Sequence, residues 1–252
     1  MPPAPVVEFE NVTKDYPSGW LGRDRLRAVS GVSFRVEAAE VFGLLGPNRA
    51  GKTTLVKILL SLCRPTAGRT VRLGRSVSSR ETLGRVGYVH ENPSFPRYLT
   101  AAGLLEYYGA LALVPRAQMR ERAGELLKRV GLADRRGEPI ARFSKGMIQR
   151  LAVAQAMIND PELLVLDEPN EGLDLDGRHL VGELIAEQRR RGRSVLLVSH
   201  VLADVEQFCD RIAVIVGGRL VHTGPVSLLT RDPQSGAGRS LEQALQDLYR
   251  KA

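Results

Sequence analysis

The sequence contains few of the residues that mark secreted, metal-binding or membrane-spanning proteins. Its two cysteines, Cys63 and Cys209, are far apart and lack metal-ligand spacing, which argues against a disulfide framework and favours a reducing cytosol. No apolar run approaches the roughly 18 residues that a membrane span needs. The stretch Met1–Pro5 also lacks the charged start and apolar region of a signal peptide. We therefore expect a cytoplasmic protein without a transmembrane segment of its own.

Aromatic residues are scarce too, at 5% of the chain, whereas basic residues exceed acidic ones to give a formal net charge of +8. Such a charge is compatible with binding to nucleic acid or anionic lipid, and equally with a solvated basic surface. No aromatic residues alternate with the basic ones to form a stacking platform for bases, so we favour the solvated surface. The arginines concerned are Arg64, Arg69, Arg72, Arg75, Arg80, Arg85 and Arg189–Arg191.

Short apolar runs alternate with helical patterns along most of the chain, which is 43% apolar. This alternation predicts an α/β fold with a parallel sheet, interrupted by a helical insertion. The predicted strands are Val6–Asn11, Ser30–Val36, Val41–Leu45, Val86–Val89, Leu163–Asp167, Val195–Ser199, Ile212–Val216 and Arg219–Thr223. The predicted helices are Gly51–Leu62, Thr100–Leu113, Ala117–Val130, Ser144–Asn159, Asp176–Arg191, Leu202–Phe208 and an amphipathic C-terminal segment containing Leu241, Leu245 and Leu248. Polar linkers are predicted at Tyr16–Arg25 and Arg231–Gly238.

One segment between a strand and a helix fits the phosphate-binding pattern G-x-x-x-x-G-K-[ST]. Small residues allow backbone N–H groups to surround phosphate oxygens, and the helix N-terminus adds a positive dipole. Lys52 would bridge the β- and γ-phosphates of a nucleotide, and the Thr53 hydroxyl would bind Mg²⁺. The predicted nucleotide-binding loop consists of Gly46, Pro47, Asn48, Arg49, Ala50, Gly51, Lys52, Thr53 and Thr54.

A second apolar strand, Leu163–Asp167, ends in the carboxylates Asp167 and Glu168. The carboxyl edge of an α/β sheet is where ligands bind, so a strand end places Asp167 where it could hold Mg²⁺. Glu168 could orient and deprotonate the water that attacks the γ-phosphate. A phosphate loop with an acidic strand is also typical of kinases and GTPases, so these two features do not decide between the classes.

The segment Phe143–Arg150 resembles the signature motif of ABC-type ATPases, usually L-S-G-G-Q-x-Q-R. Ser144, Gly146, Gln149 and Arg150 match, whereas Lys145 and Met147 give the S-K-G-M variant that resembles exporter subunits. Ser144 is also predicted to be a helix N-cap. The resemblance implies that Ser144 and Gly146 contact the γ-phosphate held by an opposite subunit, and therefore a head-to-tail dimer that encloses two ATP molecules.

Other family landmarks follow in the expected order. Gly172–Asp174 resembles the D-loop, and His200 resembles the switch histidine that contacts the γ-phosphate. Glu91 occupies the place of the Q-loop glutamine, from which a carboxylate could reach Mg²⁺ or the attacking water. Tyr16 resembles the aromatic residue that stacks on adenine, with Trp20 as the rival for that role.

The chain departs from the family pattern at several of these places. Arg49 stands where glycine is usual, and Ala39 follows Ala38 where relatives favour Pro-Gly. If either position requires a positive φ, its side chain costs roughly 1–2 kcal/mol. Asn170 and Glu171 replace a stretch that usually contains Ser or Thr.

The resemblance implies a P-loop NTPase (RecA-like) core with an antiparallel β subdomain and an inserted helical subdomain. We expect an ATPase domain over residues 1–233, with the helical subdomain near 93–159, and a C-terminal tail over 234–252. The implied function is ATP hydrolysis that powers transport, and export is the favoured direction. The implied catalytic residues are Glu168, His200 and Lys52, and the implied cofactors are ATP and Mg²⁺.

The implied partners are a separate membrane permease and a second ABC subunit, which we expect to be an identical chain. The implied location is the inner face of the cell membrane, and no specific nucleic acid is expected. Two alternatives stay open on the sequence. One is a soluble ABC ATPase that acts on nucleic acid, the ribosome or a protein assembly. The other is a subunit that binds nucleotide with little turnover, which is suggested by Arg49, Ala39 and Glu91.

Overall fold

The computed structural model describes residues 4–18, 24–231 and 238–251. The chain divides into two compact units, one formed by residues 1–82 with 196–252 and the other by residues 83–195. Within the described ranges, every helix is too short or too polar to cross a lipid bilayer.

Ten strands and eight α-helices alternate along the described parts of the chain. The strands are β1 (Val7–Ser18), β2 (Asp24–Val36), β3 (Val41–Leu45), β4 (Ala67–Arg72), β5 (Arg75–Ser76), β6 (Val86–Val89), β7 (Leu163–Asp167), β8 (Ser194–Val198), β9 (Arg211–Val216) and β10 (Arg219–Pro225). The helices are α1 (Lys52–Leu59), α2 (Ala101–Leu111), α3 (Arg116–Arg129), α4 (Lys145–Met157), α5 (Leu175–Arg190), α6 (Leu202–Phe208), α7 (Val226–Leu229) and α8 (Leu241–Lys251).

An antiparallel sheet in the first unit has the strand order β2-β1-β4-β5. Buried residues alternate with more exposed ones over Val7–Phe9 of β1 and Val32–Val36 of β2. Phe9 pairs with Phe34 across these strands with ring centroids 4.8 Å apart. The sequence analysis did not predict β4 and β5, because their arginine-rich sequence lacks the apolar alternation of a strand. The exposed face of β4 is instead stabilised by Arg69, which pairs with Glu8 and Glu10 of β1.

The first unit also contains β3, which pairs in parallel with β9, and β10, which pairs antiparallel with β9. All five residues of β3 are buried, which explains why its sequence is a continuous apolar run rather than an alternating one. The register places Leu45 opposite Val214. β3 therefore ends within the core, immediately before the predicted phosphate loop.

The C-terminal helix α8 packs on the core of the first unit. Leu241, Ala244 and Leu245 are buried in a cluster that also contains Leu45 and Val205. A Glu206 carboxylate oxygen accepts the N–H of Leu241 at 3.3 Å, which places a negative charge at the helix N-terminus. The predicted amphipathic helix is confirmed, whereas most of the linker predicted before it, residues 232–237, lies outside the described residues.

The second unit combines parallel strands with helices. β6 pairs in parallel with β7, with Val86 opposite Leu163 and Val89 opposite Leu166. Helices α2, α3 and α4 follow β6 in the chain and contact one another. These observations confirm the predicted α/β class, and the helical subdomain near residues 93–159 stays a proposal.

The first connection in the chain differs from its prediction. The sequence predicts a polar turn over Tyr16–Arg25, but strand pairing continues to Ser18 on β1 and begins at Asp24 on β2. The pairing includes a bidentate contact between Arg27 and Asp15, an ion pair that an apolar pattern does not reveal. Only residues 19–23 separate the strands, and they lie outside the described residues.

Candidate functional site

The predicted phosphate loop connects the buried strand β3 to helix α1. The Lys52 ammonium donates hydrogen bonds to the carbonyl oxygens of Gly46 at 2.5 Å and Pro47 at 3.1 Å. Only 9% of Lys52 is exposed. The first intrahelical bond of α1 runs from the Leu55 N–H to the Gly51 carbonyl, which marks the N-terminus of the helix, where the backbone N–H groups carry a partial positive charge. A positive charge and the helix N-terminus thus act at one place, which suits a phosphate group.

Two glycines of this loop lie where no side chain fits. Gly46 has φ 148°, and an added Cβ would lie 2.1 Å from the carbonyl oxygen of Ile215. Gly51 has φ 110°, and its Cβ would lie 2.6 Å from the carbonyl oxygen of Ala28. The loop therefore packs directly against backbone, and its shape is set by these close approaches.

The turn between β9 and β10 is hydrogen-bonded to the phosphate loop. The Gly218 N–H donates to the Ala50 carbonyl at 2.9 Å, and the Gly218 carbonyl accepts from the Ser30 N–H at 2.8 Å. Sequence reasoning missed this contribution. The signal was the pair Gly217-Gly218 between two apolar strands, which is typical of a tight hairpin turn with positive φ at both residues.

Both conditional expectations of backbone strain are confirmed. Arg49 has φ 65° and Ala39 has φ 59°, so each non-glycine residue lies in the left-handed region. Ala39 belongs to the turn before β3, whereas Arg49 is exposed at the tip of the phosphate loop. Arg49 therefore carries strain within the candidate site itself.

We expect the substitution Arg49→Gly to raise the free energy of unfolding by about 0.5–1 kcal/mol, because glycine adopts the left-handed backbone conformation without the strain of a side chain. Thermal unfolding measures the change. Asn48→Gly is the matched control, since Asn48 is an exposed neighbour without positive φ and should lose stability on gaining glycine. A loss of stability for Arg49→Gly would show that the Arg49 side chain contributes more than its backbone conformation costs. Nucleotide affinity measured on the same variants reports whether Arg49 weakens binding.

Tyr16 lies beside the start of α1 in the same unit. Its hydroxyl is 3.7 Å from the Cys63 sulfur, and the Lys14 ammonium lies 5.0 Å from the centre of its ring. Burial raises the pKa of Tyr16, against a hydrogen bond with the Thr54 hydroxyl that lowers it. Tyr16 is thus adjacent to the predicted loop, as a base-stacking residue requires. The rival, Trp20, lies outside the described residues.

His200 follows β8 and is exposed, while Ser199 before it is buried. The Ser199 hydroxyl accepts the N–H of Val201 at 3.0 Å and so forms a local turn just before helix α6. This turn holds the position of His200 at the end of a buried strand.

In the second unit, the acidic end of β7 forms a cluster with the neighbouring strand β6. Asp167 is 3% exposed. The Tyr88 hydroxyl hydrogen-bonds to Asp167, and the pKa of Tyr88 is raised by burial, then by the Asp167 carboxylate, and also by Glu91. Asp167 and Glu91 therefore share the surroundings of one tyrosine. Sequence reasoning missed Tyr88. Its signal was its place in the predicted strand Val86–Val89, which pairs in parallel with β7 in the structure.

Glu168, the predicted general base, has an unusual backbone conformation. Its φ is 50°, in the left-handed region that disfavours residues with a side chain. The Glu171 N–H donates to the Glu168 carbonyl at 3.2 Å and closes a turn there. Strain of this kind is found where the position of a functional side chain is fixed by its surroundings.

The predicted signature segment is the start of helix α4. The Ser144 side chain accepts the N–H of Met147 at 3.2 Å, which confirms the predicted N-cap. The buried Gln149 donates to the Pro169 carbonyl at 3.0 Å, next to Glu168. Arg150 contacts both oxygens of Asp174 at 2.6 and 2.8 Å. The pKa of Asp174 is lowered by the Gly177 N–H and then by Arg150.

The predicted site residues are divided between the two units. Among the described residues there is no cluster of three or more His, Cys, Asp or Glu that could hold a metal ion by itself. A site for Mg²⁺ that uses few protein carboxylates and the phosphates of a nucleotide fits this donor set. The first unit holds Tyr16, Gly46–Thr54 and His200, and the second holds Glu91, Ser144, Gly146, Asp167, Glu168 and Asp174.

Comparisons with known proteins place these features in one family. The family model described as ABC transporter matches residues 29–171. An uncharacterized ABC transporter ATP-binding protein of Synechocystis is 43% identical over 226 residues, which are 89% of this chain and 64% of that protein. The Nod factor export ATP-binding protein I of Burkholderia lata is 39% identical over 89% of this chain and 72% of its own length.

A solved structure, the dimeric post-hydrolysis state of the ATP-binding cassette MJ0796 bound to ADP and Pi, matches with a TM-score of 0.79 at 25% identity. The match covers 87% of this chain and 98% of that cassette. It confirms the predicted P-loop ATPase fold with its antiparallel sheet. The chain belongs to the ABC transporter family and has the fold of its ATP-binding cassettes.

Proposed function

We propose that the chain is the ATP-binding and ATP-hydrolysing subunit of an ABC transporter that exports its cargo through a separate membrane permease. The observation that carries this proposal is the loop between β3 and α1. It combines glycines at positive φ, the N-terminus of helix α1 and the Lys52 ammonium at one place. These are the donors that cradle nucleotide phosphates.

Each group of site residues has a role in this proposal. Lys52 and the loop N–H groups bind the β- and γ-phosphates, and Tyr16 stacks on the base. Thr53 would offer its hydroxyl to Mg²⁺, and in the second unit Asp167 and Glu91 would offer carboxylates to such an ion. Glu168 accepts the proton of that water, and His200 contacts the γ-phosphate. ATP, when bound, supplies the phosphoryl group whose transfer to water drives the cycle.

The start of α4 supports a dimer of two such subunits. Ser144 caps an exposed helix N-terminus, whose dipole favours an anion outside the chain. The related cassette MJ0796 is dimeric in its structure with ADP and Pi. We propose that Ser144, Gly146 and Asp174 face the nucleotide of a second copy of this chain. ATP would then favour the closed dimer through its higher affinity for that state.

A cavity in the second unit offers a surface for the permease. It measures about 390 Å³ and is lined by aromatic and polar side chains. Phe95 and Tyr108 meet there edge to face, with ring centroids 6.1 Å apart. Aromatic residues of this kind are common anchors in protein interfaces. A subunit docked on a permease in this way would be cytoplasmic and peripheral at the inner face of the membrane. The Burkholderia relative is an export ATP-binding protein, which supports export as the direction of transport.

Capture of the permease from solubilised membranes of the native host tests this proposal. A tagged chain is expected to retain a polytopic membrane protein, and Phe95→Asp should lower its recovery about tenfold because an interface anchor becomes charged. ATP binding by the variant should stay unchanged. Leu113→Asp is the matched control, since Leu113 is 88% exposed in the same unit and does not line the cavity.

The nucleic-acid alternative makes the opposite prediction, which is recovery of ribosomes or DNA that falls steeply with salt. The structure favours the solvated-surface interpretation for Arg69, Arg75 and Arg85, which pair with glutamates. Such pairing leaves less positive charge for phosphates. The solvated-surface interpretation is wrong for Arg72, which is fully buried. Recovery of nucleic acid without a membrane protein would contradict the transporter proposal.

A further inference from the structure

A salt bridge joins the start of the signature helix to the segment after Glu168. The Lys145 ammonium lies 2.7 Å from a carboxylate oxygen of Glu171. The two side chains are 61% and 37% exposed. Both residues differ from the family pattern noted in the sequence, and the structure places them in contact with each other.

The backbone between these residues is closely packed. Gly172 has φ 73°, and an added Cβ would lie 3.0–3.3 Å from three side-chain carbons of Lys145. A Cβ on Gly146 would lie 3.3 Å from the Gly172 carbonyl oxygen. The stem of Lys145 therefore lies across Gly172 while its ammonium group reaches Glu171. Packing of the stem orients the charged group.

Two further hydrogen bonds join the same segments, from Gln149 to Pro169 and from Arg150 to Asp174. We define the signature turn as Ser144–Arg150 and the connector as Pro169–Asp174. The connector is bonded to the signature turn at both of its ends and at Glu171 in its middle. Gln149 and Arg150 fix the far end of the signature turn. Lys145 alone of these side chains acts beside the capping residue Ser144 and Gly146, the residues proposed to face a partner's nucleotide.

We propose that Lys145 and Glu171 are a matched positioning pair that holds the connector against the first turn of the signature helix, so that both segments present one rigid surface to the second subunit. This inference rests on the proposed function, because it concerns the surface used in ATP-driven dimer closure. The pair acts through geometry and does not touch the reacting atoms. Disturbing it should therefore change the ATP concentration needed for closure more than it changes the fold.

A charge-swap experiment in the Glu168→Gln background tests the pairing. Light scattering measures the fraction of dimer as Mg-ATP is increased. Lys145→Glu and Glu171→Lys, each alone, place like charges together and should raise the ATP concentration for half-maximal dimer formation at least about fivefold. The double variant restores opposite charges and should return to within about twofold of the parent. ATP binding to the monomer should not change in any of them.

The matched control is the pair Arg135 and Glu138 in the same unit. These side chains are 52% and 34% exposed and 3.0 Å apart, close to the exposures and distance of the proposed pair. The same reversals at these positions should leave closure unchanged.

The outcomes separate this inference from the proposed function. If the Glu168→Gln parent forms no dimer with ATP, the dimer part of the proposed function fails and the pair has no closure to influence. If the parent dimerises but the single reversals behave like it, the pairing inference is overturned. It is also overturned if the double variant is as impaired as Lys145→Glu, since Lys145 would then act on a group other than Glu171.

Discussion

Replacing Glu168 with glutamine is expected to lower the rate of ATP hydrolysis about 10²–10³-fold while leaving ATP binding within about threefold of the native protein. The amide keeps the shape of the carboxylate but cannot accept the proton of the attacking water. The left-handed backbone of Glu168 and the turn closed by Glu171 fix the local conformation of the residue that we propose as general base. Phosphate release measures turnover, and titration with labelled ATP measures binding.

The same variant should also accumulate as a dimer in saturating Mg-ATP, because hydrolysis no longer opens the closed state. Light scattering distinguishes the two molar masses. Glu162→Gln is the matched control, since Glu162 precedes the opposite end of β7 and pairs with Arg85. That control should hydrolyse ATP normally. Native turnover by Glu168→Gln would contradict the role of the base and direct attention to Glu91 or His200.

The substitution Arg72→Met is expected to lower the free energy of unfolding by about 2–4 kcal/mol, since it leaves buried acceptors without their donor. Arg72 is fully buried, and its guanidinium donates to neutral oxygens of Leu59, Ser61, Ser79 and Thr82. Burial lowers the pKa of this guanidinium, which remains the donor to all four groups. Because Leu59 ends helix α1, the cation also stabilises the negative end of the helix that begins at Lys52.

Urea unfolding monitored by circular dichroism measures the loss. Arg69→Met is the matched control on the same strand, where Arg69 is 63% exposed and pairs with Glu8 and Glu10. Surface pairs contribute little, so the control should lose less than about 1 kcal/mol. Equal losses in the two variants would show that the buried hydrogen bonds of Arg72 are not the reason for its effect.

The family, the fold class and the local conformation of several candidate site residues were predictable from the sequence, because they depend on local order along the chain. A buried parallel strand requires a continuous apolar run, as in β3, and the phosphate loop requires glycines before a helix start. The N-cap at Ser144 and the strain at Arg49 and Ala39 followed from the same local rules. These features need no knowledge of distant neighbours.

Contacts between residues far apart in the sequence could not be predicted in this way. The pairing of β6 with β7 places Tyr88 beside Asp167, and the turn at Gly218 fastens the phosphate loop. Each of these contacts joins residues more than 70 positions apart, so the local sequence pattern does not reveal it.

The sequence by itself determined which residues are candidates for nucleotide binding, since small residues, a lysine and carboxylates at fixed spacing are typical of that chemistry. Only the tertiary structure decided which charged residues matter for the fold. Arg72 and Arg69 are both arginines on β4, yet one is buried among neutral oxygens and the other lies in water. The same holds for Lys145 and Glu171, which are 26 residues apart and meet only because Gly172 allows the lysine to lie across it. Burial and pairing depend on which parts of the chain pack together, and that is settled by the whole fold.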